Sequence, residues 1–141
     1  MAIEPSADDL RALAELRFKD AQLLLTSGRH SGAYYLSGYA IECGFKAVIA
    51  HSFRQGVIPS KRFVERVYTH DLKELLALSG LKPVLETEAD KSIDLKTAWS
   101  IVSDWDESTR YEIIDPFRAA KMLEAVGHAQ FGVLTWLRLH W

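Results

Sequence analysis

Residues 28–51, GRHSGAYYLSGYAIECGFKAVIAH, decide the fold. Read as a helix from about Ser31, the stretch places Ala33, Ser37, Ala40, Gly44 and Ala47 on one side, three or four residues apart. That period belongs to a helix and not to a strand, and small side chains on it let a neighbouring helix backbone come close. A second stripe, Tyr35, Tyr39, Glu42 and Lys46, climbs the adjacent face. Glu42 precedes Lys46 by four residues, the better order for a helical ion pair. Cys43, the single cysteine, falls on the buried side, so a packed thiol is expected and an intrachain disulfide is excluded. The stretch reads as a buried central helix that carries a polar seam.

The flanking sequence supplies its partners. Ser6 followed by Asp8 and Asp9 marks a helix start, with a hydroxyl for free amides and acids at the positive end of the dipole. Leu10, Leu13, Ala14, Phe18, Ala21, Leu24 and Leu25 then keep helical spacing until Ser27-Gly28. The short connection predicts an antiparallel pair with the central helix. Gly56 and Pro59 break that helix around Gln55. Residues 60–68, SKRFVERVY, predict a short helix with Phe63, Val64 and Val67 inward. Thr69 is expected to cap a further one in 70–80, HDLKELLALSG. Residues 81–89 fit either a helix opened by Pro83 or a loop. From Ser92, the spacing of Leu95, Ala98, Trp99 and Val102 gives another amphipathic helix. The dense charge of 104–115, DWDESTRYEIID, interrupts it. Asp115-Pro116 then opens a final helix expected to reach the C-terminus. No segment alternates as a strand, so the expectation is all-α: four long or medium helices and a shorter insertion in a single domain.

Composition agrees with a soluble domain large enough for one core. Of 141 residues, 48% are hydrophobic and 26% charged. A net charge of −2 generates no global attraction to nucleic acid or anionic membrane. No apolar run approaches the roughly 18 residues of a membrane span, and the first residues lack the pattern of a signal peptide. A cytoplasmic location is expected.

Three segments in order, LLLTSGRHSGAYYLSGYAIECGFKA (23–47), HDLKELLALSGL (70–81) and WDESTRYE (105–112), resemble the HEPN family of small helical bundles. The resemblance implies an up-down antiparallel bundle, commonly homodimeric. It also implies ties to nucleotide or RNA chemistry and, often, a nucleotidyltransferase partner in a toxin–antitoxin or defence-like module. Catalytic members carry Arg-x4–6-His, a metal-independent ribonuclease motif. There the histidine moves a proton and the arginine steadies phosphate charge. The five histidines here, His30, His51, His70, His128 and His140, have no arginine five to seven positions upstream. Lys121 precedes His128 by seven residues, but lysine lacks the arginine fork. Arg110 stands where the motif's arginine would, yet Asp115, Pro116 and Phe117 occupy the histidine positions. The motif is absent as written. Arg110, His128 and His70 are the weak catalytic candidates.

The remaining candidates each have a structural and a functional reading. Tyr35, Tyr39, Glu42 and Lys46 form either a structural tie or a ligand seam, with Arg110 the expected partner of a partly buried Glu42. His70 and Asp71 open a helix, where they cap it or receive an anion. Trp105 and Tyr111 anchor a charged loop or stack on a base. Arg54, Lys61, Arg62 and Arg66 form a solvated face or a contact for RNA phosphates. The acids of 104–115 lack calcium-loop spacing, and neither a metal nor a cofactor is expected. The C-terminal stretch, with Phe131, Leu134, Trp136 and Trp141, is apolar around most of a helical wheel. A homodimer that buries Trp136 or Trp141 is therefore expected. The first functional expectation is a non-catalytic, dimeric interaction or regulatory subunit. A ribonuclease toxin with a rebuilt site and a nucleotide-binding module are the alternatives.

Overall fold

The computed structural model describes residues 3–141, which form an all-α bundle with no strand among them. In chain order the helices are α1 (Ala7–Thr26), α2 (His30–Ser52), α3 (Lys61–Val67), α4 (Leu72–Leu78), α5 (Lys82–Lys91), α6 (Ile93–Ser103), α7 (Pro116–Gly127) and α8 (Val133–Leu137). A 3-10 helix, Glu107–Tyr111, lies between α6 and α7.

Local chemistry sets the boundaries. Ser6 and Asp9 form a reciprocal capping box: the Ser6 hydroxyl accepts the Asp9 amide at 3.0 Å, and the Asp9 carboxylate accepts the Ser6 amide at 2.9 Å. Those bonds hold the Asp9 carboxyl below its ordinary value, the backbone bond from Ser6 contributing most. Gly28 ends α1 at φ +77°, a left-handed conformation that favours glycine, and the Arg29 amide returns to the Leu24 carbonyl at 2.8 Å. The chain then reverses into α2, whose end shares a groove with the start of α1 (Leu10, Leu13 beside Ile49, Ala50), so the two helices are antiparallel. Asp71, and not Thr69, caps α4: its carboxylate accepts the Lys73 and Glu74 amides, while the Thr69 hydroxyl accepts the Asp71 amide. Pro83 does open a helix, α5. Ser92 caps α6 and Asp115 caps α7, with Pro116 at its first position.

The centre is α2. Ala33, Ser37, Ala40, Gly44 and Ala47 are all buried, as their spacing predicts. At its glycines, however, the small-residue face receives side chains more than helix backbones. A Cβ on Gly38 would lie 2.3 Å from the Trp105 ring, and one on Gly44 would lie 2.9 Å from Leu137 and 3.4 Å from Trp141. Glycine at these two places is a seat for bulky groups brought in by later segments.

Two expectations are corrected. The final helix does not run to the C-terminus: it stops at Gly127, turns through His128–Gly132 and resumes as the five-residue α8. Glycine suits both ends of the break: Gly127 lies against the Phe18 ring, and a Cβ on Gly132 would strike the His128 backbone. The break also refolds the apolar circumference onto the bundle. Trp136 is 5% exposed and Leu137 fully buried, so Trp136 does not stand in water awaiting a second subunit. Trp141 is half-buried over Gly44. Arg138 clamps the segment to α1 through two bonds to the Glu15 carboxylate, 2.6 and 2.9 Å, which hold that carboxyl below its ordinary value.

Candidate functional site

The polar seam of α2 has one deeply buried ionisable group, Glu42, whose side chain is 4% exposed. A carboxylate there must be paired, and it is paired on both oxygens. Oε2 lies 3.3 Å from Lys46 Nζ, the four-residue partner on the same helix. Oε1 lies 2.9 Å from Nδ1 of His70, which the turn before α4 brings alongside. His70 Nε2 continues the chain to Glu107 Oε2 at 3.3 Å. The imidazole thus bridges two carboxylates, and it donates to both only as the imidazolium, since the neutral ring carries a single N–H.

Arg110 is not the partner of Glu42. It is exposed, and its guanidinium lies 5.0 Å over the Tyr111 ring. The tie between the charged segment and α2 runs through other residues, which the sequence reading missed. Arg118 reaches the Tyr34 hydroxyl at 3.3 Å, lies 4.8 Å over its ring and pairs with Glu112 at 3.2 Å. The Ile114 amide donates to the Ser31 hydroxyl at 2.9 Å. Burial is the first cause that raises the Tyr34 phenol, which remains a neutral donor or acceptor beside Arg118.

The seam divides two concavities. On one side, Tyr39, Glu42, Cys43 and Lys46 line a groove of about 510 Å³ whose remaining walls, from α1, α3 and the end of α2, are mostly apolar. Tyr68 reaches its rim and is largely exposed. Burial first, then the Glu42 charge, pushes the Cys43 thiol up to about 11, which favours the neutral thiol over the thiolate. The Tyr39 phenol is also raised, first by its neighbour Cys43 and then by burial. On the other side, His70, Asp71, Trp105 and Glu107 share a cleft of about 300 Å³. Trp105 is 2% exposed and packs against Tyr35 with ring centroids 5.7 Å apart, which fixes the charged segment on α2. Tyr111 stays outside, 79% exposed.

The other candidates lie apart. His128 is a structural residue of the α7–α8 turn: Nδ1 accepts the Gln130 and Phe131 amides at 3.1 and 3.4 Å, and the ring stacks on Phe131 at 3.6 Å. Of the basic cluster, Arg66 pairs with Glu74 at 3.0 Å and Lys61 lies 3.9 Å from Glu65, while Arg54 and Arg62 have no carboxylate partner among the described residues. No group of three or more His, Cys, Asp or Glu among the described residues is arranged to hold a metal ion. No described helix is long and apolar enough to cross a membrane. Set against known proteins, the chain matches no family model, no curated protein and no solved structure.

Proposed function

We propose that this chain is a HEPN-type bundle that acts by binding a protein partner, as a dimeric regulatory subunit and not as a ribonuclease. One observation carries the reading: the three catalytic candidates that the sequence offers, Arg110, His128 and His70, lie apart from one another or are engaged by neighbouring residues. Lys46, Glu42, His70 and Glu107 contact one another in series. His128 spends its accepting nitrogen on a turn, and Arg110 rests on Tyr111. Two of the segments that carry the resemblance supply Glu42, Lys46 and His70, which adds internal consistency. A nucleotidyltransferase in a toxin–antitoxin or defence-like module is the partner this reading favours. Purified protein incubated with RNA in a chelator should give no cleavage, and co-expression with a nucleotidyltransferase encoded beside it should give a stable complex. Cleavage that disappears in His128→Ala or Arg110→Ala would replace this reading with the ribonuclease one.

The groove supports a second reading, a nucleotide-binding module. It has the size of a small-molecule site, apolar walls and few convergent polar groups. Lys46 has one protein acceptor and further N–H groups to offer an anion. Titration with ATP and GTP tests it, and saturable binding lost in Lys46→Met would support it.

A further inference from the structure

We propose that the connection between α2 and α3 is a contact for an anionic lipid surface. Val57 and Ile58 would enter the headgroup layer, and the basic side chains on either side of them would meet lipid phosphates. Every residue in 51–62 is exposed, so the bundle covers none of this run, yet its tip is aliphatic. Gly56 takes φ +77° and the Val57 amide returns to the Arg54 carbonyl at 3.4 Å, which makes a tight turn. Beyond the turn Ile58 stands 94% exposed, beside a Val57 that is 50% exposed. The base of the loop is held on α3, where Phe53 meets the edge of Phe63 with ring centroids 5.8 Å apart.

Charge supplies the independent argument. The chain as a whole has a net charge of −2, but residues 51–64 hold Arg54, Lys61 and Arg62 and no acid. This stretch therefore carries +3 and the rest of the molecule −5. Arg54 and Arg62 have no carboxylate partner among the described residues, and Lys61 reaches Glu65 only at 3.9 Å. A basic patch on an otherwise acidic molecule turns that patch toward an anionic surface. The aliphatic tip separates the occupants that carry negative charge. RNA offers phosphates, but Val57 and Ile58 have no ring to stack on its bases. An acidic protein needs a shaped surface to match, and a run exposed along its whole length presents none. A second copy would set like charges against each other across the two-fold axis. A fluid bilayer needs no matching shape: aliphatic groups enter the acyl boundary while guanidinium and ammonium groups stay level with the phosphates.

The test is cosedimentation of the full chain with phosphatidylcholine vesicles, with and without one third phosphatidylglycerol. The anionic vesicles should bind at least tenfold more tightly than the neutral ones, and high salt should remove most of that difference. Arg54→Gln and Arg62→Gln should each weaken binding about fivefold. Ile58→Ser, which leaves the charge unchanged, should weaken it several-fold. All three positions are exposed, so the variants keep the fold, and their helical circular dichroism checks it. Insertion has its own readout. Cys43 is buried, so Ile58→Cys offers one accessible thiol for a polarity-sensitive dye, whose emission should shift to the blue on anionic vesicles. No binding to anionic vesicles, binding that ignores Ile58→Ser, or a dye that stays in water would overturn the proposal. Single-stranded RNA that binds more tightly than the vesicles and ignores Ile58→Ser would overturn it too, and assign the basic patch to RNA.

Discussion

Trp105 and Trp136 are two indoles in nearly the same situation, with one difference. Each comes from a short segment that follows a helix, and each is almost fully buried, 2% and 5% exposed. The segments that carry them roof the two glycine seats of α2, Trp105 itself over Gly38, and Leu137 and Trp141 over Gly44. Trp136 donates its Nε1–H to the Glu88 carboxylate on α5, whereas the Trp105 Nε1–H has no acceptor among the described residues. Covering an apolar face needs only shape. Completing a buried polar atom needs a specific partner, and among the described residues Trp136 has one and Trp105 does not.

The largest test of that parallel is truncation of the indoles. Trp136→Ala and Trp105→Ala should each destabilise by about 3–5 kcal/mol, the range for a large buried aromatic. Equilibrium urea unfolding measures it. If Trp136→Ala left stability intact and only dissociated an oligomer, the indole would belong to an interface and the comparison would fail.

Cys43 lies on the stretch of α2 between the two seats and gives a pH-dependent effect. Its thiol is raised from an ordinary value of 9.0 to about 11. The folded state therefore favours the neutral thiol: this contribution is fully present below pH 9 and is lost as pH rises from 9 through 11. About 2–3 kcal/mol is at stake. The difference in unfolding free energy between the native chain and Cys43→Ala should shrink across that window. A difference that stays flat would place the thiol in water.

A finer contrast concerns the seats themselves. Gly38→Ala puts a methyl against three atoms of a rigid ring and should cost about 1–3 kcal/mol despite better helix propensity. Gly44→Ala meets the movable end of Leu137 and should fall within about 1 kcal/mol of the native chain. Thermal unfolding of the pair decides, and equal effects would mean that both roofs are equally soft. Glu88→Ala should cost about 1 kcal/mol in the same thermal measurement, because it turns Trp136 into a second indole without an acceptor.

The helices were legible in the sequence because their signals are local. Ser6 with Asp9, Gly28, and Asp115 with Pro116 each act within one turn of chain, and the period of Ala33 to Ala47 needs no knowledge of what covers it. The pairings were not legible, because they join distant segments. Glu42 meets His70 across 28 residues, and nothing in the spacing favours it over Arg110. Arg118 meets Tyr34 across 84 residues on the same terms. Glu42 could still be flagged as a buried acid on an apolar helix in need of a partner. The break at Gly127 was hidden for a related reason. A helical wheel assumes that the helix continues, while the tight turn at Gly132 and the Phe18 ring over Gly127 depend on packing that the wheel does not contain.

The clamp between Arg138 and Glu15 spans 123 residues and bears on how the chain is made. Leu137 and Trp141 cover Gly44, and Phe18 waits for Gly127, so the first two helices emerge during synthesis well before the segments that close over them. For that interval the small-residue stripe of α2 waits beside large apolar side chains that also lack their later partners, among them Phe45, whose ring ends against Trp99 of α6. A nascent hairpin of the first two helices therefore carries apolar area on a polysome that only the last segments to be made will cover.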